Sequence, residues 1–161
     1  MKAIKTNAMR FLDKAKVPYK VHDFTPLKDD EEIGYDEISR RIGLNKEQIF
    51  KTILCQGSSK QYFVLVIQGT QSLDFKKSAR ALHEKSMELV DVKDLEKITG
   101  YIRGGCSPIG MKKKFQTILD EKAKSFDNIL ISAGKRGYQI EIAPGDLIHL
   151  IGAQVEDIGS E

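Results

Sequence analysis

The sequence predicts a single domain of the α+β (α/β) class over residues 1–161, with a mixed, largely antiparallel sheet flanked by helices. Three observations predict it. A length of 161 residues is that of one domain. Segments that alternate between polar and apolar residues, as strands do, are interspersed with segments whose apolar residues recur at helical spacing. No internal repeat or low-complexity linker divides the chain.

The individual elements follow from these two periodicities and from the residues that end them. Thr6 is placed to cap the first helix, Pro18 ends it, and Gly43 closes the second. Further helices are predicted over 35–42, 76–83, 92–98 and 145–151. Strands are predicted over 19–24, 49–55, 62–68, 87–90, 128–134 and 138–143. We expect 49–55 with 62–68, and 128–134 with 138–143, to form antiparallel hairpins. Residues 25–32 form a polar loop, and the glycine-rich segment 100–113 has no clear period.

Composition and the motifs that are missing exclude several classes of protein. The 26 Lys and Arg residues against 23 Asp and Glu leave a net charge of +3, so binding to nucleic acid depends on where the charge lies. No apolar signal core or membrane-spanning run occurs, which predicts a cytoplasmic protein without a membrane partner. No HExxH or paired CxxC motif occurs, so neither a metal nor a cofactor is predicted. A GxSxG elbow and a phosphate-binding loop ending in Gly-Lys-Ser/Thr are also missing.

Lys51 is the first candidate functional residue. Alternate residues of a strand share one face, so Lys51 points with Ile53 and Cys55. A lysine between apolar neighbours can occupy a pocket and bind a carbonyl or phosphate oxygen there. The alternative is a lysine on a solvated sheet face, and the strand pattern leaves both open.

Two glycine-rich segments carry the other candidates. In 104–110 the glycines allow backbone N–H groups to approach a ligand closely, and Pro108 stiffens the loop; the alternative is a tight chain reversal. Basic residues lie on this segment and on the turn between the last two predicted strands. Such residues can bind the phosphates of an RNA end, or they can serve only to keep the protein in solution. The basic residues concerned are Arg103, Lys112, Lys113, Lys135 and Arg136.

Three separated motifs resemble the YbaK/EbsC-type family of aminoacyl-tRNA deacylases, in particular its Cys-tRNA(Pro) deacylase branch. They are FKT at 50–52, TGYIRGGCSPIGMKK at 99–113 and SAGKRGYQIEIAPGDL at 132–147. The resemblance extends over nearly the whole chain and implies an α/β domain with a mixed sheet. It implies trans-editing, the removal of cysteine wrongly attached to tRNA(Pro). The substrate is then aminoacyl-tRNA(Pro), and prolyl-tRNA synthetase is a candidate partner.

The resemblance also implies roles for individual residues. Lys51 matches the family's lysine that engages the tRNA end, and Gly104 and Gly105 fall on the loop that contacts the aminoacyl group. The remaining predicted substrate-binding residues are Phe24, Thr52, Ser107, Pro108, Gly110, Ser132 and Gln139. Phe24 stands where a related tyrosine can occur and Gln139 where an aspartate can occur, so hydrogen bonds to the substrate differ at these positions.

No protein nucleophile is visible, and the resemblance implies that the thiol of the cysteinyl ester attacks its own carbonyl. Lys51 then holds the terminal adenosine or its phosphate, and backbone N–H groups near Gly105 face the ester oxygen. Two other functions remain open: editing of alanine or serine by bound water, and a non-catalytic module that binds a synthetase or charged tRNA. Cys106 is a candidate nucleophile, but no histidine lies within ten residues to act as a local base.

Overall fold

The computed structural model describes residues 4–28 and 33–160, so residues 29–32 of the predicted loop lie outside the described residues. Its helices are α1 (Asn7–Lys14), α2 (Tyr35–Ile42), α3 (Phe75–Ala81), α4 (Val92–Thr99) and α5 (Pro144–Ile151). Its strands are β1 (Lys20–Asp23), β2 (Phe50–Gly57), β3 (Tyr62–Gln68), β4 (Met87–Leu89), β5 (Gln116–Asp120), β6 (Ile129–Ser132), β7 (Tyr138–Ile142) and β8 (Gln154–Glu156). The α+β class is confirmed. Within the described ranges, no helix is both long and apolar enough to cross a bilayer.

The strands form two sheets. The larger has the order β4-β2-β3-β5-β8, in which β4, β2 and β3 are antiparallel while β5 and β8 join in parallel. The smaller, β1-β7-β6, is antiparallel throughout. Both predicted hairpins, β2–β3 and β6–β7, are confirmed. A parallel bridge between Ile49 and Leu130 connects the two sheets. β5 and β8 were not predicted, because one borders the aperiodic glycine-rich segment and the other has only three residues.

The main hydrophobic core lies between the two sheets and includes residues of α1 and α5. The predicted cap of α1 is confirmed, because Thr6 Oγ1 accepts a hydrogen bond from the Met9 N–H at 3.2 Å. The same hydroxyl donates to the Ala133 carbonyl oxygen at 2.5 Å and so ties α1 to the end of β6. Helix α3 covers the opposite face of the larger sheet, and α2 packs against Ile49 and Leu130 where the sheets meet.

Strand β2 has a stretch of edge that no other strand of the described residues covers. On that edge β4 pairs only with residues 55–57, and β6 runs near β2 but forms a bridge only with Ile49, the residue before β2. The Val90 N–H donates to the Leu54 carbonyl at 3.1 Å, which shows that Leu54 points towards this edge. In an antiparallel strand the N–H and C=O of one residue point to the same edge, and successive residues alternate. The backbone N–H and C=O of Thr52 therefore point to the open edge.

Candidate active site

A cavity of about 750 Å³ lies beside the open edge of β2. Its walls come from β2, α2, the segment from β4 to α4, the glycine-rich segment and the β6–β7 hairpin. The fold brings together here eight of the residues that the sequence singled out: Phe24, Lys51, Thr52, Arg103, Gly104, Ser132, Arg136 and Gln139. Their sequence separation shows that the cavity is a product of the tertiary fold.

Lys51 is a pocket residue, which decides between the two interpretations of its strand position. Its side chain is half-buried, and its Nζ donates a hydrogen bond to the Gly69 carbonyl oxygen at 3.2 Å. Burial lowers the pKa of the Lys51 ammonium, since desolvation penalises the charged form. An ammonium has three N–H donors, so the single carbonyl partner leaves donors for a ligand oxygen.

Two polar atoms of the cavity wall are buried without a hydrogen-bond partner among the described residues. They are Thr52 Oγ1 on β2 and Gln139 Oε1 on β7. Leaving such an atom unpaired costs about 1–3 kcal/mol, so it marks a position where a ligand can supply the missing partner. Ser132 is the register partner of Gln139 in the hairpin, and its Oγ accepts from the Gly134 N–H at 3.2 Å.

The loop at 104–110 and the turn between β6 and β7 lie in close contact with each other. Gly104 has a φ of +83°, and a Cβ there would lie 3.0 Å from Cγ of Arg136. A Cβ on Gly105 would lie 3.0 Å from the backbone nitrogen of Arg136. The Gly105 N–H donates to the Ile102 carbonyl at 3.0 Å, and Gly105 is not part of the cavity wall. The Gly105 N–H is therefore paired within the loop, and the lack of a side chain at Gly105 permits the contact with Arg136. That backbone N–H groups near Gly105 face the ester oxygen stays a prediction.

The second half of the glycine-rich segment turns away from the cavity, so three of the predicted substrate-binding residues lie outside the wall of the main cavity. Ser107 is fully buried, and its Oγ accepts from the Ile109 N–H at 3.3 Å. Pro108 and Gly110 line a separate cavity of about 410 Å³. The physical reason is Tyr101, whose hydroxyl donates to the Ile109 carbonyl at 2.7 Å and holds this half of the loop in the core.

The predicted basic residues are divided among three places. Arg103 and Arg136 line the main cavity, whereas Lys112 and Lys113 line the separate one. Lys135 lines neither, and its Nζ lies 5.8 Å from the centroid of the Tyr138 ring. The main cavity therefore combines three cationic side chains, Lys51 among them, and its described wall contains no Asp, Glu or His.

Cys106 lines the main cavity but is a poor nucleophile. It is 8% exposed, and burial raises the pKa of its thiol to about 11, although a hydrogen bond with the Thr99 side chain acts in the opposite direction. At neutral pH the group is a thiol, and the thiolate is the reactive form. Within residues 4–28 and 33–160, no group of three or more His, Cys, Asp and Glu side chains is arranged to hold a metal ion.

Sequence reasoning missed two apolar parts of the cavity wall. One is the inner face of α2 with Tyr35 and Ile38, and the other is the segment from β4 to α4 with Leu89 and Val92. Leu89 is 59% exposed and Val92 is 54% exposed, an unusual state for two apolar side chains so close in sequence. Their exposure appears only once the strand and helix are placed, because in the sequence they are indistinguishable from core residues.

Comparison with known proteins assigns the chain to the class of aminoacyl-tRNA editing domains. The family model described as aminoacyl-tRNA editing domain matches residues 33–150, and this chain belongs to that family. The Enterococcus faecalis protein named "Putative Cys-tRNA(Pro)/Cys-tRNA(Cys) deacylase EbsC" is 47% identical over 154 residues, which are 96% of this chain and 93% of that protein. The resemblance seen in the sequence motifs is confirmed.

More distant relatives agree with this assignment. Proline–tRNA ligase of Lactobacillus helveticus is 28% identical over 108 residues, which are 67% of this chain but 19% of the ligase. A crystal structure described as a "putative trans-editing enzyme for prolyl tRNA synthetase" has a TM-score of 0.83 and 21% identity, and the match covers 99% of this chain and 100% of that one. At this identity the structural match shows that the fold is shared.

Proposed function

We propose that this chain is an aminoacyl-tRNA deacylase that removes cysteine from Cys-tRNA(Pro). The editing domain extends over residues 1–161 and acts in the cytoplasm on errors of prolyl-tRNA synthetase. The observation that carries the proposal is the 47% identity, over nearly the full length of both chains, to the Enterococcus faecalis protein named for this activity. The cavity supports it by gathering Lys51, Thr52, Ser132 and Gln139 at one place in a positive environment.

The cysteinyl thiol is the nucleophile in this proposal. Its sulfur bonds to the ester carbonyl carbon, the bond from that carbon to the ribose oxygen breaks, and the thiol proton ends on the ribose oxygen. The products are free tRNA and a four-membered thiolactone, which water opens to cysteine. The described cavity wall supplies no carboxylate or imidazole to activate a water, and it does supply fixed polar groups that hold the ester. Positioning alone can contribute as much as about 7–11 kcal/mol to such an intramolecular step.

The cations of the cavity bind the RNA end. The Lys51 ammonium is held by the Gly69 carbonyl and donates its other N–H groups to the terminal adenosine or its phosphate. Arg103 and Arg136 line the same cavity and face the neighbouring phosphates. Lys112, Lys113 and Lys135 lie outside it and contact phosphates farther along the acceptor strand.

A panel of tRNA(Pro) charged with cysteine, alanine, serine or proline tests the proposal. We expect release of cysteine at the highest kcat/KM and little release of proline. Preferential release of alanine or serine would assign the chain to the water-dependent editing enzymes instead. Binding of charged tRNA without release of any amino acid would make it a non-catalytic module.

A further inference from the structure

We propose that the aminoacyl group binds to the open edge of β2 as if it were one residue of an added antiparallel strand, with Thr52 as its pairing partner and Gln139 as a second acceptor for its α-amino group. This inference rests on the proposed function and specifies which backbone and side-chain atoms recognise the substrate. In this arrangement the Thr52 N–H donates to the ester carbonyl oxygen. The substrate's α-amino group donates to the Thr52 carbonyl oxygen and to Gln139 Oε1.

The backbone of Thr52 points its hydrogen-bonding groups to the open edge of β2. The Val90 N–H bonds to the Leu54 carbonyl on the open edge, and alternation along β2 places the N–H and C=O of Thr52 on that same edge. Between the end of the β4 pairing and the bridge at Ile49, no strand of the described residues pairs with β2 on this edge. Thr52 lines the cavity, so its peptide groups lie beside the space that a ligand fills.

The aminoacyl ester is chemically complementary to the backbone groups of Thr52. An aminoacyl ester carries an amino group and a carbonyl on adjacent atoms of its chain, as an amino-acid residue does. In a hydrogen-bonded antiparallel pair, two residues exchange both of their N–H···O bonds. The ester lacks only the N–H that would follow the carbonyl, so it can still form both bonds with Thr52.

Gln139 Oε1 is buried in the cavity wall without a hydrogen-bond partner among the described residues, and as an amide oxygen it can only accept a hydrogen bond. A hydroxyl has a single proton to donate, whereas an amino group has two or three. An amino group can therefore satisfy the Thr52 carbonyl and Gln139 Oε1 at the same time. The described wall contains no acidic side chain, so these neutral oxygens are its available acceptors for the amine.

The arrangement also gives the ester oxygen a backbone donor from β2, beside the predicted N–H groups near Gly105. The Gly105 N–H itself is used by the Ile102 carbonyl. The Thr52 N–H is fixed by the β2–β3 ladder, and a donor held in place before the reaction costs little reorganisation.

The experiment compares two substrates with the full-length protein: cysteinyl-tRNA(Pro) and 3-mercaptopropionyl-tRNA(Pro), which keeps the thiol and the ester but lacks the α-amino group. Each rate is divided by the uncatalysed hydrolysis rate of the same ester. We expect the substrate without the amino group to lose about 100-fold in relative kcat/KM, because the acceptors are left unpaired. Equal relative rates would overturn the inference while leaving the proposed function intact. Failure to release cysteine from cysteinyl-tRNA(Pro) would remove the proposed function itself.

Two matched variants locate the recognition. Gln139→Met is expected to lower kcat/KM about 10-fold on the cysteinyl ester and to change the amino-free ester by less than about 2-fold. Gln71→Met is the control, because Gln71 Oε1 is also buried and unpartnered but lies outside the cavity wall. It should leave both substrates unchanged. Equal losses on both esters in Gln139→Met would show that Gln139 does not bind the amino group and would overturn its role.

The backbone half of the inference has its own variant. Thr52→Pro removes the N–H that points to the open edge, a position where an edge strand accepts proline. With folding verified by circular dichroism, we expect a loss of about 100-fold on cysteinyl-tRNA(Pro), the usual effect of removing one donor to a developing oxyanion. Wild-type turnover by the folded variant would overturn the bond from Thr52 to the ester carbonyl. Should Thr52→Pro not fold, the two-substrate comparison still decides the inference.

Discussion

The two cavities share one loop, yet their walls differ in how the polar groups are paired. The main cavity holds Lys51 half-buried and leaves Thr52 Oγ1 and Gln139 Oε1 unpartnered. The separate cavity is lined by apolar residues such as Phe11 and by the consecutive lysines 112–114. Lys112 is exposed, and its Nζ donates to the Lys97 carbonyl oxygen at 3.5 Å. Buried polar groups without partners are costly in a folded protein, whereas solvated lysines are not. In the function proposed above, the substrate reacts where buried polar groups are left unpaired, and the dense lysines of the separate cavity bind phosphates.

Removing the Lys51 ammonium from the main cavity should have the largest effect on activity. We expect Lys51→Ala to lower kcat/KM for cysteinyl-tRNA(Pro) by at least about 100-fold, because it deletes a charge-assisted contact that the strand holds in position. Thermal unfolding should change little, because the variant leaves no unpaired buried charge. Lys113→Ala is the matched control from the separate cavity and should retain turnover at saturating tRNA. Near-wild-type deacylation by folded Lys51→Ala would remove the distinction between the cavities.

A side chain added at Gly105 should lower the stability of the protein, because Gly105 lies in close contact with the turn between β6 and β7. Gly105→Ala places a Cβ 3.0 Å from the Arg136 nitrogen and 3.2 Å from the Lys135 carbonyl carbon, and backbone atoms cannot rotate away. We expect a loss of about 1–3 kcal/mol in the free energy of unfolding, measured by urea denaturation.

Gly145→Ala provides the control for that substitution. A Cβ at Gly145 has no atom within 4 Å, and the residue lies in α5, so alanine should be neutral or stabilising by up to about 1 kcal/mol. Equal stability of the two variants would show that the loops are not in close contact.

The lysines of the separate cavity should affect binding without affecting the chemical step. The double variant Lys112→Ala/Lys113→Ala removes two proposed phosphate contacts, so fewer counterions are released on binding. We expect the slope of log affinity against log salt to become shallower by about 0.7–0.9 per lysine, while kcat stays within about 2-fold of wild type. An unchanged slope would mean that these side chains are merely solvated.

Much of the fold could be predicted from the sequence because its elements carry local signals. The Thr6 cap, the glycine that ends α2 and the short turns between paired strands act within a few residues, and each is confirmed. The parallel strand β5 lacks such a signal. Its place beside β3 is set by contacts between residues 63–66 and 116–119, which are remote in sequence. The division into two sheets likewise depends on long-range packing.

The candidate site could be predicted in part, because some of its residues lie in short sequence motifs. Lys51 and Gln139 were found through motifs, and the structure adds why they matter by placing both on one cavity wall. The motif around 104–110 located the cavity wall only in part, because its letters do not show which half lines the cavity. Tyr101 decides that through its bond to the Ile109 carbonyl. The open edge of β2 cannot be read from sequence at all, since it depends on where β4 stops pairing.

Cys106 gives the smallest expected effect and the sharpest test of which sulfur reacts. Burial raises the pKa of its thiol to about 11, so its thiolate fraction at pH 8 is about 0.001, rising as the pH approaches 11. We expect native protein at pH 8 to react with iodoacetamide at least about 100-fold more slowly than free cysteine, and Cys106→Ala to retain activity within about 3-fold. Alkylation of the cysteinyl thiol on the tRNA should instead abolish turnover, because the attacking atom is then blocked. An inactive Cys106→Ala, together with continued cleavage of the alkylated substrate by wild type, would reverse the assignment and make the protein's own sulfur the nucleophile.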